Sequence, residues 1–239
     1  MRLICPRDNS RPPIDLDTIS ASRMPSLLAE VAGRLGLPYG YDTASQKIYL
    51  GDRPAQSAIR LDVPYYYQGD SAMTEQAWRM CFSSSCAMLL ETLKPGTLAG
   101  PNGDDQYLRR VLQYGDTTDP TAQLAALRHC GVRARYSQAL GWDDIDRQLE
   151  AGIPVPIGIL HHGPVTAPTG GGHWILVVGR DAKRESVLVH DPAGELDLVA
   201  GRYLTYGTGR YLTYSRRNLG HRWMAEGPGS GWGILAERP

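Results

Sequence analysis

Met80-Cys81-Phe82-Ser83-Ser84-Ser85-Cys86-Ala87-Met88-Leu89-Leu90 carries the apolar spacing of a buried helix, with a cysteine at its opening. Far downstream, Gly172-His173-Trp174-Ile175-Leu176-Val177-Val178-Gly179 and Val187-Leu188-Val189-His190-Asp191-Pro192 read as apolar strands. A histidine opens the first and an aspartate closes the second. Helical patterns come first and strands later, which predicts an α+β fold with two unlike lobes. A thiol at a helix N-terminus faces unpaired N–H groups and the positive end of the helix dipole, which favour thiolate. A histidine and an aspartate at the ends of neighbouring strands can supply a base and the group that orients it.

Residues 1–58 form a different region. Arg11-Pro12-Pro13 is stiff and extended, and Pro25 to Arg34 places Leu27, Leu28, Val31 and Leu35 on one helical face, ended by Gly36. Tyr39-Gly40-Tyr41-Asp42 reads as a turn into a short strand, Gln46 to Leu50, and the polar stretch from Gly51 to Ala58 as a linker. This region is either a small adaptor or targeting module or an extension packed on the main domain, which occupies 59–239.

In the main domain, Leu61 to Gln68 is extended, and Pro64 bars it from the middle of a sheet. The helix after Cys81 turns Cys86, Leu89, Leu90 and Leu93 to one face and stops at Pro95-Gly96. Asp104 or Asp105 would cap a second helix with Leu108, Val111 and Leu112 inward, and Asp119-Pro120 would start a third that closes at Gly131. A strand over 132–137, a helix over 142–151 and strands over 153–160, 173–179 and 186–190 complete the pattern. Gly201-Arg202-Tyr203-Leu204-Thr205-Tyr206 repeats as Gly209-Arg210-Tyr211-Leu212-Thr213-Tyr214. Two short copies are too few for a solenoid, so a hairpin or a local duplication is expected, with Gly207-Thr208 at the turn.

Composition closes off several classes. Lys+Arg and Asp+Glu are equal at 25 each, so no net charge draws the chain to nucleic acid or an anionic membrane. No run approaches the roughly 18 apolar residues of a membrane helix, and the start lacks the apolar stretch of a signal peptide. The expected setting is therefore cytoplasmic, with Cys5, Cys81, Cys86 and Cys130 reduced. No Cys/His spacing fits zinc, and the glycines at Gly170 lack the Lys-Ser/Thr of a phosphate loop, so neither metal nor cofactor is expected. The arginines at 202, 210, 216, 217 and 222 read as a solvated face or a peptide-binding rim.

Cys81, ahead of the apolar stripe, is the candidate nucleophile, and Cys86, within it, is core. His173 follows Thr169-Gly170-Gly171-Gly172, a segment whose backbone can approach other chain closely, and stands at a cleft edge as candidate base. His161 and His162 look like cleft wall, and His129 like a partner of a helix C-terminus. Asp191 is the candidate acceptor for the Nδ1–H of His173. An oxyanion needs a backbone N–H and a side-chain amide. Gln68, ending an ordered segment, is preferred over Gln76, which sits in a polar loop.

Four of these stretches together resemble the stand-alone relatives of the bacteriocin-processing (double-glycine leader) cysteine peptidases: Val63 to Gln68, Cys81 to Met88, Gly171 to Trp174, and Val189 to Pro192. The resemblance spans about 61–239, including Trp223 to Leu235. It implies a papain-like fold, with a helical lobe carrying the cysteine, an antiparallel sheet lobe carrying the histidine and aspartate, and a small N-terminal α/β appendage. By resemblance Cys81 is nucleophile, His173 base, Asp191 orienter and Gln68 oxyanion donor, acting on a peptide or protein. Relatives have Gly-Pro after the cysteine where Phe82-Ser83 stand here, a change expected to reshape the neighbouring subsite. Relatives that mature bacteriocins are fused to transporters, so leader cleavage is not implied. A cell-wall peptide hydrolase, phage-borne and virion-associated or released, is the alternative substrate class. A non-catalytic binding or virion structural protein that kept the fold is the alternative of a different kind.

Overall fold

The computed structural model describes residues 39–42, 47–50 and 57–238. The chain divides into two units, Met1–Gln56 and Ser57–Pro239. In the first, β1 (Tyr39–Asp42) pairs antiparallel with β2 (Lys47–Leu50), Tyr39 opposite Leu50 and Asp42 opposite Lys47. Tyr39–Asp42 is thus a strand and not the expected turn; its tyrosines stand at every second position, a spacing that suits a strand. The helix expected over 25–34, the proline-rich start and most of the linker lie outside the described residues.

The second unit begins with β3 (Ile59–Arg60) and an extended segment to Gln68. Three helices follow: α1 (Cys81–Leu93), α2 (Gly103–Val111) and α3 (Pro120–His129). Then come β4 (Ala134–Leu140), α4 (Trp142–Glu150), β5 (Val155–Ile159), β6 (His173–Arg180) and β7 (Ser186–His190). The hairpin β8 (Gly194–Asp197) and β9 (Arg202–Tyr206), then β10 (Leu212–Ser215), α5 (Arg216–Trp223) and β11 (Gly231–Ala236) complete it. The fold is α+β, helices before an antiparallel sheet. That sheet has seven strands in the order β10-β7-β6-β5-β11-β4, with β3 paired to the end of β6. Leu61 N–H donates to the Val178 carbonyl, after which Pro64 lies outside the sheet.

The sheet is buried on both faces. On one, Phe82, Leu89 and Leu90 of α1 meet Leu176, Val178 and Ile234. On the other, Ile145, Leu149, Leu219 and Trp223 of α4 and α5 meet Ile157, Ile175, Val177 and Val189. Two covered faces explain why β5 and β6 read as near-continuous apolar runs. They also amend the expected two lobes: helices lie on each side of the sheet. Cys86, Leu89 and Leu90 are wholly buried, but Leu112, expected inward, is 39% exposed because α2 ends one residue earlier.

Asp119 caps α3 as expected, its Oδ1 accepting from Thr121 N–H at 2.8 Å, and Gly131, at φ +77°, follows its end. Asp104 and Asp105 are not caps. Asn102 precedes α2, and both acids are buried in its first turn. Asp104 accepts from Ser84 Oγ at 2.6 Å, and Asp105 accepts from Ser71 Oγ at 2.5 Å and Ala72 N–H at 3.0 Å. The chain around them needs acceptors more than the helix start does.

The repeat does not close on itself. Its first copy is β9, paired with β8, and its second holds β10, paired with β7. Between them Gly207 N–H donates to the Ala193 carbonyl, and the Gly209 carbonyl accepts from Asp191 N–H. The link runs along 191–193, which keeps the two copies from pairing. The arginines of this region form no single basic face. Arg222 is fully buried, donating to the carbonyls of Leu198, Leu160, His162 and Gly163, and Arg216 pairs with buried Asp146.

Candidate active site

The first backbone hydrogen bond at the head of α1 runs from Ser84 N–H to the Met80 carbonyl, and no side chain caps the helix. The N–H groups at its start are therefore unspent. Cys81 is half-buried there, while Cys86 is enclosed, and burial pushes its thiol far above the ordinary range. Two of the three serines after Cys81 tie the helix down. Ser83 Oγ lies 2.8 Å from Thr117 Oγ1 and accepts from Gln123 Nε2, and Ser84 reaches Asp104. Burial raises Asp104 to about 6, with Asp105 and Asp70 adding to the rise.

His173 opens β6 opposite Ile159. It is 5% exposed, and its Nε2 lies 2.7 Å from Asp191 Oδ1. The expectation that Nδ1 faces Asp191 is corrected, and register explains why. Leu176 pairs with His190, so Asp191 lies one step further along and His173 is its diagonal neighbour. Diagonal positions are about 7–8 Å apart, a gap that the distal nitrogen spans. Nδ1 remains for the other side of the ring, and Cys81 at the head of α1 is near enough for its charge to act on His173. Burial alone would lower the histidine. The Asp191 carboxylate, its hydrogen bond and the neighbouring Cys81 outweigh it and raise His173 to about 10.

Asp191 is fully buried. Its Oδ1 also accepts from Ala193 N–H at 2.9 Å, and Tyr203 Oη stands 3.4 Å from Oδ2. Its carbonyl accepts from Tyr65 Oη at 2.9 Å. His161 flanks the site, ring centroids 5.5 Å from His173, and is lowered to about 4 by burial and the charges of His173 and His162. A neutral His161 beside a charged His173 is wall, not base.

Gln68 starts a short 3-10 turn, and its N–H donates to the Pro192 carbonyl at 2.9 Å, next to Asp191. Its side chain is 2% exposed, and Oε1 is buried without a hydrogen-bond partner. Gln76 stands on the exposed turn before α1, its Oε1 accepting from Arg79 at 3.5 Å. Exposed Trp78, three positions ahead of Cys81, meets exposed Tyr206 edge to face at 5.6 Å. His129 ends α3 and bonds Tyr114 Oη at 2.8 Å. Among the described residues no group of three His, Cys, Asp or Glu could hold a metal ion, and no helix is long and apolar enough to cross a membrane.

The stretch that holds all these groups, residues 60–217, matches the sequence pattern of the Peptidase_C39 like family. The chain belongs to that family. A C39-like peptidase from Bacillus anthracis is similar in structure at 16% identity and a TM-score of 0.51, covering 77% of this chain and 99% of that one. That likeness supports the α+β fold. The peptidase domain of Streptococcus ComA, a bi-functional ABC transporter of a quorum sensing pathway, aligns at 14% identity and a TM-score of 0.45, covering 68% of this chain and 93% of that domain. No curated protein matches the chain in sequence.

One feature expected of this C39-like chain is corrected. Phe82, beside Cys81, was expected to reshape a subsite, but it is 1% exposed and stacks flat on Trp174, centroids 3.5 Å apart. An apolar ring in the first turn of a helix on a sheet turns to the sheet, not to the cleft. The residues after the cysteine and after the histidine thus touch each other. Asp104, Phe82 and Tyr203 are site supports that sequence reasoning missed. Only the Ser83-Ser84-Ser85 run inside an apolar helix hinted at buried polar partners.

Proposed function

We propose that this protein is a cysteine peptidase whose nucleophile is Cys81, with His173 as proton carrier and Asp191 as its orienter. One observation carries the reading: a buried histidine hydrogen-bonded to a carboxylate, with a helix-opening thiol near enough for its charge to act on the ring. Raised to about 10, His173 is imidazolium at neutral pH, and a neighbouring imidazolium and a helix head both favour a thiolate nucleophile. The thiolate sulfur bonds to the carbonyl carbon of a peptide, and the oxygen takes the charge. The unspent N–H groups of α1 and the Nε2–H of Gln68 would receive that oxygen; Gln68, buried and bonded through its backbone to Pro192 beside Asp191, suits this better than Gln76 on its exposed turn. His173 then protonates the amine as the C–N bond breaks. Neutral His173 next takes a proton from water, which attacks the thioester and releases acid and thiolate.

Cys81→Ala should remove cleavage of a mixed peptide library and labelling by dilute iodoacetamide, both followed by mass spectrometry. Labelling that persists, or that moves to Cys86, would sink the assignment.

A further inference from the structure

The Gly-Arg-Tyr-Leu-Thr-Tyr duplication plays no part in the chemistry above, yet each copy reaches Asp191, the first through Tyr203 and the second through Gly209. We propose that the duplication is a clamp on the carboxylate end of the site, and that Tyr203 in its first copy is a positioning residue for the His173–Asp191 pair. The inference rests on the peptidase reading for its consequence, but its geometry stands apart from that reading.

The copies divide the work. Tyr211, in the second, serves the backbone: its Oη donates to the Leu61 carbonyl at 3.0 Å and accepts from Val63 N–H, and its ring stands edge-on to His190 at 4.4 Å. Tyr203, at the matching position, serves the site. Its ring stands edge-on to His173, centroids 5.8 Å apart at 87°, and its hydroxyl is the hydrogen-bond donor to Asp191 Oδ2 among the described residues. The matching glycines dock both copies. A Cβ at Gly209 would lie 1.9 Å from the Asp191 carbonyl, and one at Gly201 would lie 2.1 Å from that of Gly163. Only glycine permits either approach. Tyr214 closes the clamp, its Oη accepting from Leu196 N–H at 2.9 Å and so fixing the hairpin that bears Tyr203.

Tyr203 therefore has two separable effects. Burial, then the charges of Asp191 and Cys81, keep its phenol protonated, so it draws off part of the carboxylate's charge. Its ring also keeps water from a buried ion pair, where screening would weaken the attraction. The two effects push His173 in opposite directions. Tyr203→Phe keeps the cover and removes the donor, so the carboxylate holds the imidazolium more tightly. Tyr203→Ala admits water and loosens it.

The test is the titration of the His173 imidazole by NMR in the full chain. Tyr203→Phe should move it up by about half a pH unit and Tyr203→Ala down by about one, while Tyr211→Phe leaves it in place. A merely structural tyrosine would not give opposite signs. Should Tyr203→Ala fail to fold, Tyr203→Phe decides alone: no shift, or a downward one, overturns the proposal. Equal movement in Tyr211→Phe overturns it too. A wild-type His173 titrating near 6.5 would sink this inference and the peptidase reading together, whereas a high wild-type value with unmoved variants sinks the inference only.

Discussion

The thiol end and the carboxylate end of the site are held by different physics. Cys81 stands on a helix pinned by side chains of its own helical layer, Ser83 to Thr117 and Gln123, Ser84 to Asp104. Asp191 is held by backbone and phenols, with the Gly209 carbonyl on its N–H and Tyr65 on its carbonyl. The thiol end can form within one helical layer. The carboxylate end needs the strand register to be right, because a slip of one residue would turn Asp191 to the other face. Phe82 on Trp174 is the joint between them.

The largest effect should come from cutting the carboxylate end. Asp191→Ala should cut peptide turnover about ten-thousandfold, the order seen when an orienting carboxylate is lost from a triad. Burial would then be opposed by Cys81 alone, so the titration of His173 should fall well below 10. If NMR still finds His173 near 10 in this variant, Asp191 is not what holds it.

Breaking the joint comes next. Phe82→Ala empties a buried stack and should cost about 3–5 kcal/mol in urea unfolding, with Phe82→Leu costing less. Turnover should fall further than helix stability alone explains, since the two ends lose their common contact. A variant as stable as wild type would show that the stack is incidental.

How far the sequence carried the fold differs between the same two ends. Helix starts and strands with strong local signals were legible: Asp119-Pro120 at α3, the apolar runs of β6 and β7, Cys81 at a helix head. Boundaries such as β4, expected over 132–137 and found at Ala134–Leu140, shifted by two or three residues. What stayed hidden is long-range. Nothing local to Tyr203 says that it meets Asp191, because the repeat's pairing is decided by contacts along 191–193. The ring nitrogen facing Asp191 was misassigned for a similar reason: it depends on cross-strand register, which composition does not encode. Asp104 and Asp105 misled because cap preference is a local rule and burial under Ser84 and Ser71 is not.

The smallest effect sharpens the thiol end. Asp104 is raised from 3.8 to about 6 by burial first, so its charged form is penalised in the folded state. Above pH 6 that penalty is present in full. As pH falls from 6 towards 3.8, the folded protein takes up this proton before the unfolded chain does, and stability rises. At 1.36 kcal/mol per unit the penalty is about 3 kcal/mol. Asp104→Asn, which cannot ionise, should therefore be more stable than wild type by up to about 3 kcal/mol at pH 7.5, and the gap should close by pH 4. Urea unfolding of the two proteins at both pH values reads this directly. A gap that widens on acidification would mean that Asp104 is held charged, and that the helix bearing Cys81 is anchored by an ion rather than by a strained neutral acid.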